Sequence, residues 1–424
     1  MRIKLKRPKG ISLQSILMNI AMFCVVSFAL LEDASVSLPY ISFIKTPIMY
    51  LGAACLLCRV FYFAKRLKKK RYFYVFLTLF LLIAMLLLAA NQNDHPKLGD
   101  PPMKDTVRLI LFLLELFLLM IWMAEDGQSR KLINFLFYYT LLLTGLSDIL
   151  MFTGLMEFWN GGFETYLVGT KFTVIYFHMN LMVLWYVKNR ERFHRDKKAR
   201  RVIYWGMPVA FLTAIRVDCI SGILGCLVLF ILIMIMDKPI QKKLLKLSSH
   251  WALLLAMAIG VIFPFVSKTI LDMPFVTYVV ENLLGRDNKL TGRLNIFLAY
   301  GDRMQDNWQW GYGYGNGNVV SEALFGYANS QNAMLHWVIQ IGIPATVCLV
   351  LFWLMIFRRI AKAPEKSRCM PFVALIYVYI VLGMIEITYS MIFILWFAVI
   401  FMLVNEKRTP EPAKLPSQPV KNNK

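Results

Sequence analysis

Charge is scarce in this chain and histidine scarcer: Asp, Glu, Lys and Arg make up 17% of 424 residues, and histidine occurs five times. The histidines (95, 178, 194, 250 and 336) are too dispersed for a ligand set, and no D-x-D pair falls in a loop facing outward. The expectation is chemistry with no metal and no cofactor. No Walker or Rossmann pattern occurs, which removes the common nucleotide-binding classes. No internal repeat is evident. The seven cysteines (24, 55, 58, 219, 226, 348 and 369) lie in or beside apolar runs without metal-like spacing, so they read as small core residues.

Apolar residues are what the chain has instead. At 58% hydrophobic it exceeds the roughly 45–50% of soluble domains and reads as an all-α polytopic membrane protein. The net charge of +22 does not indicate nucleic acid. Basic clusters at 2–9, 65–71, 130–131, 188–201, 238–246, 358–368 and 407–424 hold most of the 47 Lys and Arg and alternate with apolar runs. That is the pattern of loops kept in the cytoplasm, with anionic membrane lipid as partner. Seven such segments imply about twelve transmembrane helices with both termini cytoplasmic. The basic start, residues 2–9, leads into 16–31 without a small-residue cleavage site, so it reads as a retained first helix.

Several pairs of spans are visible directly: 13–31 with 44–64, 72–90 with 106–124, and 132–153 with 171–187. Val202–Met236 as one helix would be about 52 Å long, against a hydrocarbon core of about 30 Å. It must therefore be two helices with a turn near Arg216 and Asp218. The run 369–404 divides likewise, near Glu386. Spans 251–270 and 331–357 bracket a long polar loop, 271–330, and every other loop reads as short. Residues 1–404 form the integral domain, and 405–424 is a disordered basic tail.

The loop carries the features that point to chemistry. Thr291-Gly292-Arg293 is the first of them, with Arg286, Lys289 and Arg303 nearby, and Leu294–Ala299 reads as a short amphipathic helix on the membrane face. A lipid diphosphate would require several such cations. Arg216, at its helix turn, either snorkels and pairs with Asp218 or grips a phosphate oxygen in bidentate fashion. The stretch Trp308–Asn318, with Tyr312, Tyr314 and Asn316, is either a compact glycine turn or an aromatic and amide surface for sugar. Asn329, Asn332 and His336 enter the next span as caps or as groups facing an outer cavity. Asn180, beside His178, reads as an interhelical contact with a possible share in substrate binding, and His95 as a solvated residue.

These motifs resemble the bacterial superfamily of Wzy-type polysaccharide polymerases and O-antigen ligases. The residues concerned are Thr291-Gly292-Arg293, the glycines 311, 313 and 315, Asn332 entering the next helix, Ile341-Gly342-Ile343, and Arg216 with Ser221. The resemblance is specific over 290–343, weaker over 170–225 and topological elsewhere. It implies a GT-C-type glycosyltransferase architecture in the cytoplasmic (inner) membrane. It also implies an undecaprenyl-diphosphate-linked oligosaccharide as donor, Arg216 and Arg293 binding the diphosphate, and other polysaccharide export proteins as partners. Ligases place histidine just before the asparagine motif, where this chain has Asn329-Ser330-Gln331-Asn332, so the polymerase is favoured. A ligase and a lipid-linked sugar flippase are the alternatives. The base for the acceptor hydroxyl stays open among Asp218, Asp302 and Asp306.

Overall fold

A computed structural model describes residues 12–32, 34–38, 40–155, 158–160, 163–193, 195–236, 244–278, 281–282, 293–327, 329–363 and 365–407. Helices dominate them. In chain order the first are α1 (Leu13–Leu30), α2 (Ala34–Ser37), α3 (Tyr40–Leu57), α4 (Val60–Leu67), α5 (Lys70–Gln92), α6 (Met103–Glu125), α7 (Ser129–Phe152) and α8 (Lys171–Phe193). They are followed by α9 (Lys197–Arg216), α10 (Ile220–Ile235), α11 (His250–Leu271), α12 (Pro274–Tyr278), α13 (Arg293–Arg303), α14 (Gly317–Phe325), α15 (Ala333–Ile360), α16 (Met370–Leu382) and α17 (Met391–Asn405).

Among the described residues, seven helices are long and apolar enough to cross a bilayer: α1, α3, α5, α6, α7, α11 and α15. Three shorter helices, α10, α16 and α17, are equally apolar. Large side chains such as Phe43, Leu77, Leu142 and Ile262 stay exposed on the outward faces, where a water-soluble protein would carry charge. The chain is an all-α membrane protein. Residues 391–403 of α17 are buried along their whole length, as expected of a helix surrounded by other helices at the centre of a bundle. Around it Trp353 stacks on Phe397 and Trp396 on Phe372.

Helix starts follow from polar caps. Ser12, Asp196 and Ser249 each accept a backbone N–H of the first turn, which satisfies donors that the helix itself cannot. The long run 202–236 does divide, between α9 and α10, at residues 217–219, and the run 369–404 divides between α16 and α17 with Glu386 in the connection.

Two expectations need correction. The apolar run 44–64 is not one span: α3 ends at Leu57, and α4 follows as a separate amphipathic helix with Phe63 buried and Lys65 and Arg66 in its last turn. The connection after α7 is not simply short loop either. It holds a small antiparallel sheet of β1 (Phe158–Asn160), β2 (Phe163–Tyr166) and β3 (Gly169–Thr170), in order β1-β2-β3, with Thr165 opposite Phe158 and Thr170. Aromatic and β-branched residues over so few positions leave no period to read.

Contacts sort the helix termini into two ends of the bundle. Asp105, at the start of α6, lies against Gly315 in the long polar loop. Glu125, at the far end of the same helix, meets Arg66, Arg71 and Lys407. Gln14 donates to Asp126 at 3.2 Å, and the Lys407 amide donates to the Ala124 carbonyl at 2.9 Å. Both limits of the described chain therefore meet the Glu125 end.

Candidate functional site

Arg293 opens α13, which packs against α11 and buries Ile296, Phe297 and Tyr300. Tyr300 fixes the helix further by donating its hydroxyl to the Leu335 carbonyl at 2.6 Å. So anchored, the Arg293 guanidinium reaches two groups from elsewhere in the chain. Its Nε donates to Gln331 Oε1 at 2.9 Å, and its Nη2 to Glu386 Oε1 at 2.5 Å. Glu386 lies in the connection between α16 and α17 and is buried. Burial raises its pKa from 4.5 to about 7, although the charges of Arg293 and Lys171 and the bond from Arg293 pull it down. A carboxylic acid poised there changes charge near neutral pH.

Lys171 links this pair to the turn after Arg216. At the start of α8, it is close enough to act electrostatically on Glu386, and its Nζ donates to the Asp218 carbonyl at 3.2 Å. Burial raises the pKa of Cys219 in the same turn, and there Glu386 raises it and Lys171 lowers it as well. Arg216 is the exposed last residue of α9, two positions before Asp218. The structure thus brings the Arg216 turn, Lys171, Glu386 and Arg293 to one end of the bundle, with Arg293 and Lys171 both acting on Glu386.

Backbone strain falls on the same place. Among the described residues, the non-glycine positions with positive φ are Asp218 (49°) and Gln331 (53°). The first offers the carbonyl to Lys171 and the second holds Arg293. Left-handed geometry costs a residue with a Cβ of order 1–3 kcal/mol and persists where surrounding contacts enforce it.

Asn332 and Asn316 turn inward. Asn332 caps α15 by accepting from Met334 and Leu335 at 3.1 and 2.9 Å, and it donates to the carbonyls of Gly260 and Met384 at 3.0 and 3.1 Å. It is fully buried. With both amide hydrogens and its oxygen in use, it ties α11 and the Glu386 connection to the start of α15. Asn329 accepts from the Gln331 amide at 3.0 Å, forming the turn that presents Gln331. Asn316 bonds Asp100 in both directions, at 2.8 and 3.0 Å, and donates to the Tyr312 carbonyl at 2.9 Å. Tyr312 is buried. His336 is half-buried against Gly317, and among the described residues its Nδ1 has no hydrogen-bond partner.

The glycine turn is a compact clamp. Gly311 and Gly342, at φ 67° and 72°, let two backbones meet: a Cβ on Gly342 would lie 2.2 Å from the Gln309 carbonyl oxygen. Tyr312 N donates to Ile339 O at 2.7 Å and Ile343 N to Trp308 O at 2.8 Å. Side chains at these glycines would drive the strands of backbone apart.

Tyr314 reaches a cavity. It stacks on Trp337 with ring centroids 5.8 Å apart, and with Glu32, Lys45, Asp105, Arg108 and Gln340 it lines a space of about 260 Å3. Asn180 lies elsewhere, fully buried between helices, where its Oδ1 accepts from Tyr379 at 2.7 Å and Trp396 at 3.1 Å. Arg286, with Lys289, Thr291 and Gly292, lies outside the described residues. Glu386, Gln331 and Lys171 were not singled out as site residues by the sequence. Glu386 carried a signal, as an acid in an otherwise apolar run, whereas Gln331 and Lys171 are ordinary residues until the fold places them.

Among the described residues, no three His, Cys, Asp or Glu side chains gather as a metal set would require. The chain was compared with protein-family models and with curated proteins, and it matches none of them.

Proposed function

We propose that this protein is a membrane glycosyltransferase of GT-C-type architecture with twelve transmembrane helices and both termini in the cytoplasm. It would join undecaprenyl-diphosphate-linked oligosaccharide repeats into a surface polysaccharide at the outer face of the cytoplasmic membrane. The observation that carries this reading is the linked arrangement of Arg293, Glu386, Lys171 and the Arg216 turn at one end of the bundle. The opposite end holds Arg66, Lys69, Arg71, Arg368 and Lys407, which belong to basic segments that the positive-inside rule assigns to the cytoplasm. α8, α9, α10, α16 and α17 complete the count of twelve beside the seven long spans.

In this reading the donor's diphosphate lies against Arg216 and Arg293, with Lys171 nearby. An acceptor sugar hydroxyl loses its proton to Glu386, and its oxygen attacks the anomeric carbon of the donor's reducing-end sugar. The bond from that carbon to phosphate oxygen breaks, and undecaprenyl diphosphate leaves with the electron pair. Fixed cations stabilise the charge that develops on the departing phosphate. Glu386 is preferred to Asp218, Asp302 and Asp306 as candidate base because a pKa near 7 suits proton transfer at neutral pH. Anion binding releases Arg293 from Glu386, so donor binding and freeing of the base occur together.

The test is extension of a defined lipid-linked repeat by the purified, reconstituted protein. Long polymer is expected from the wild type, and none from Arg293→Ala or Arg216→Ala at equal protein in the membrane. Normal polymer from both variants would remove the proposal. In cells lacking the protein, single lipid-linked repeats should accumulate on the outer face. Their accumulation on the inner face would indicate a flippase, and unattached long chains a ligase.

A further inference from the structure

The end of the bundle opposite Arg293 contains an imbalance of charge that the proposed chemistry does not use. Glu125, at the last turn of α6, has a side chain only 1% exposed. Four cations converge on it: Arg66 at 3.2 Å, Lys69 at 3.3 Å, Lys407 at 2.7 Å, and Arg71 in direct contact. Tyr72 adds a hydroxyl at 2.9 Å. One carboxylate cannot neutralise four cations. Among the described residues the neighbouring acids are engaged elsewhere: Asp126 accepts from Trp122 and Gln14, and Glu406 pairs with Arg368 and accepts from the Ser129 amide.

The excess is visible in the groups themselves. Among the described residues, Arg71 Nε and Arg59 Nη1 are buried without a hydrogen-bond partner. The Arg59 guanidinium lies over the Tyr62 and Trp122 rings, 4.0 and 4.5 Å from their centroids. Burial, and then repulsion from Arg66, Arg71 and Lys407, lowers the pKa of Lys69. Unsatisfied buried donors beside uncompensated positive charge call for an anion.

Beside this cluster lies an apolar groove of about 370 Å3, lined by Leu67, Lys68, Phe73, Phe76, Leu77 and Phe80. Lys68 stands at its rim, between Arg66 and Lys69 of the cluster in sequence. Amphipathic α4, with Phe61 exposed, precedes the groove at the same end, as a helix lying in the headgroup layer would. A soluble anion has no use for the groove, and a neutral lipid has no use for the cations. An anionic phospholipid answers both.

We propose that residues 59–80, with Lys407, form a specific seat for an anionic phospholipid, whose phosphate meets Arg66, Lys68 and Lys69 while an acyl chain occupies the Phe73–Phe80 groove. The seat needs a bilayer but not the glycosyltransferase reading, so either can fail alone. A bound headgroup would neutralise the cations gathered from α4, α5 and the residues after α17, locking those three segments together.

Native mass spectrometry of the purified full chain tests this, with phosphatidylglycerol and phosphatidylcholine of identical acyl chains. Phosphatidylglycerol should bind at least about tenfold more tightly, and each of Lys68→Gln and Lys69→Gln should reduce the preference about fivefold. Leu77→Trp, which fills the groove from an exposed position, should weaken phosphatidylglycerol without changing the response to inorganic phosphate. Circular dichroism shows that each variant is folded. Equal binding of the two lipids, or a preference that survives the Lys68→Gln/Lys69→Gln pair, would overturn the seat. Protection by inorganic phosphate equal to that by lipid, with Leu77→Trp silent, would reduce it to a free-anion site and overturn it too.

Discussion

Glu386 and Glu125 are both buried carboxylates next to helix ends, and they are surrounded very differently. Glu386 makes one direct ion pair, with Arg293, and feels Lys171 from a distance. Glu125 lies among four cations and a tyrosine. The first arrangement leaves the carboxyl close to losing its charge, flanked by strained residues at Asp218 and Gln331. The second surrounds the carboxyl with an excess of cations. A poised acid beside an arginine that must exchange partners suits turnover, whereas an over-neutralised acid suits attachment of segments to one another and to lipid.

The comparison breaks most visibly at Glu125. Glu125→Gln leaves four partly exposed cations facing each other, and its cost should lie between the about 1 kcal/mol of an exposed ion pair and the about 3–5 kcal/mol of a buried one. Thermal unfolding in detergent should fall accordingly, with part of the loss restored by phosphatidylglycerol. A variant as stable as wild type would show that the cluster is solvated and holds nothing together.

Arg293→Ala should lower chain extension by about 10²–10³, the usual cost of deleting one charge-stabilising donor, while the protein stays folded. Arg293→Lys should recover little, because an ammonium cannot span Gln331 and Glu386 as the guanidinium does.

Glu386→Gln separates the two acids by pH. A folded-state pKa of about 7, raised from 4.5, means that ionisation opposes folding. The stability from the neutral acid is fully present below about pH 4.5 and is lost as pH rises through about 7. In wild type, activity should fall on acidification through about pH 7 as the base becomes protonated. The Gln variant should lose that acid limb along with most activity, and above pH 7 it should unfold no earlier than wild type. An unchanged acid limb would assign the proton to another group.

The smallest effect is expected at Asn332. Asn332→Ala removes a helix cap, worth about 1–2 kcal/mol, and orphans the Gly260 and Met384 carbonyls. Donor affinity should change little, which distinguishes a cap from a substrate ligand in binding assays.

Much of this fold was legible in the sequence because bilayer thickness and the helical rise constrain it. The division of 202–236 and of 369–404 followed from length alone, and both turns occur where a charged residue interrupts the apolar run. The break at Cys58 and Arg59 also holds a charge, but the run 44–64 is short enough for one span, so length did not require a division there. Arg216 and Arg293 stood out as cations in unusual places. The role of Asn332 did not, because a cap that also bridges to Gly260 and Met384 depends on three segments far apart in the chain. Glu386 could be noticed but not paired, as its partner lies 93 positions away. The glycines at 311 and 342 suggested turns, and only the fold shows that they face each other.

Binding of undecaprenyl diphosphate to the purified protein, measured for wild type, Arg216→Ala, Arg293→Ala and the double variant, tests the central claim most directly. If both guanidinium groups hold one diphosphate, each single change should weaken binding about tenfold or more, and the double change should weaken it by clearly less than the product of the two. Losses that multiply, or an arginine whose removal leaves affinity unchanged, would mean that the two do not share a ligand and would contradict the account.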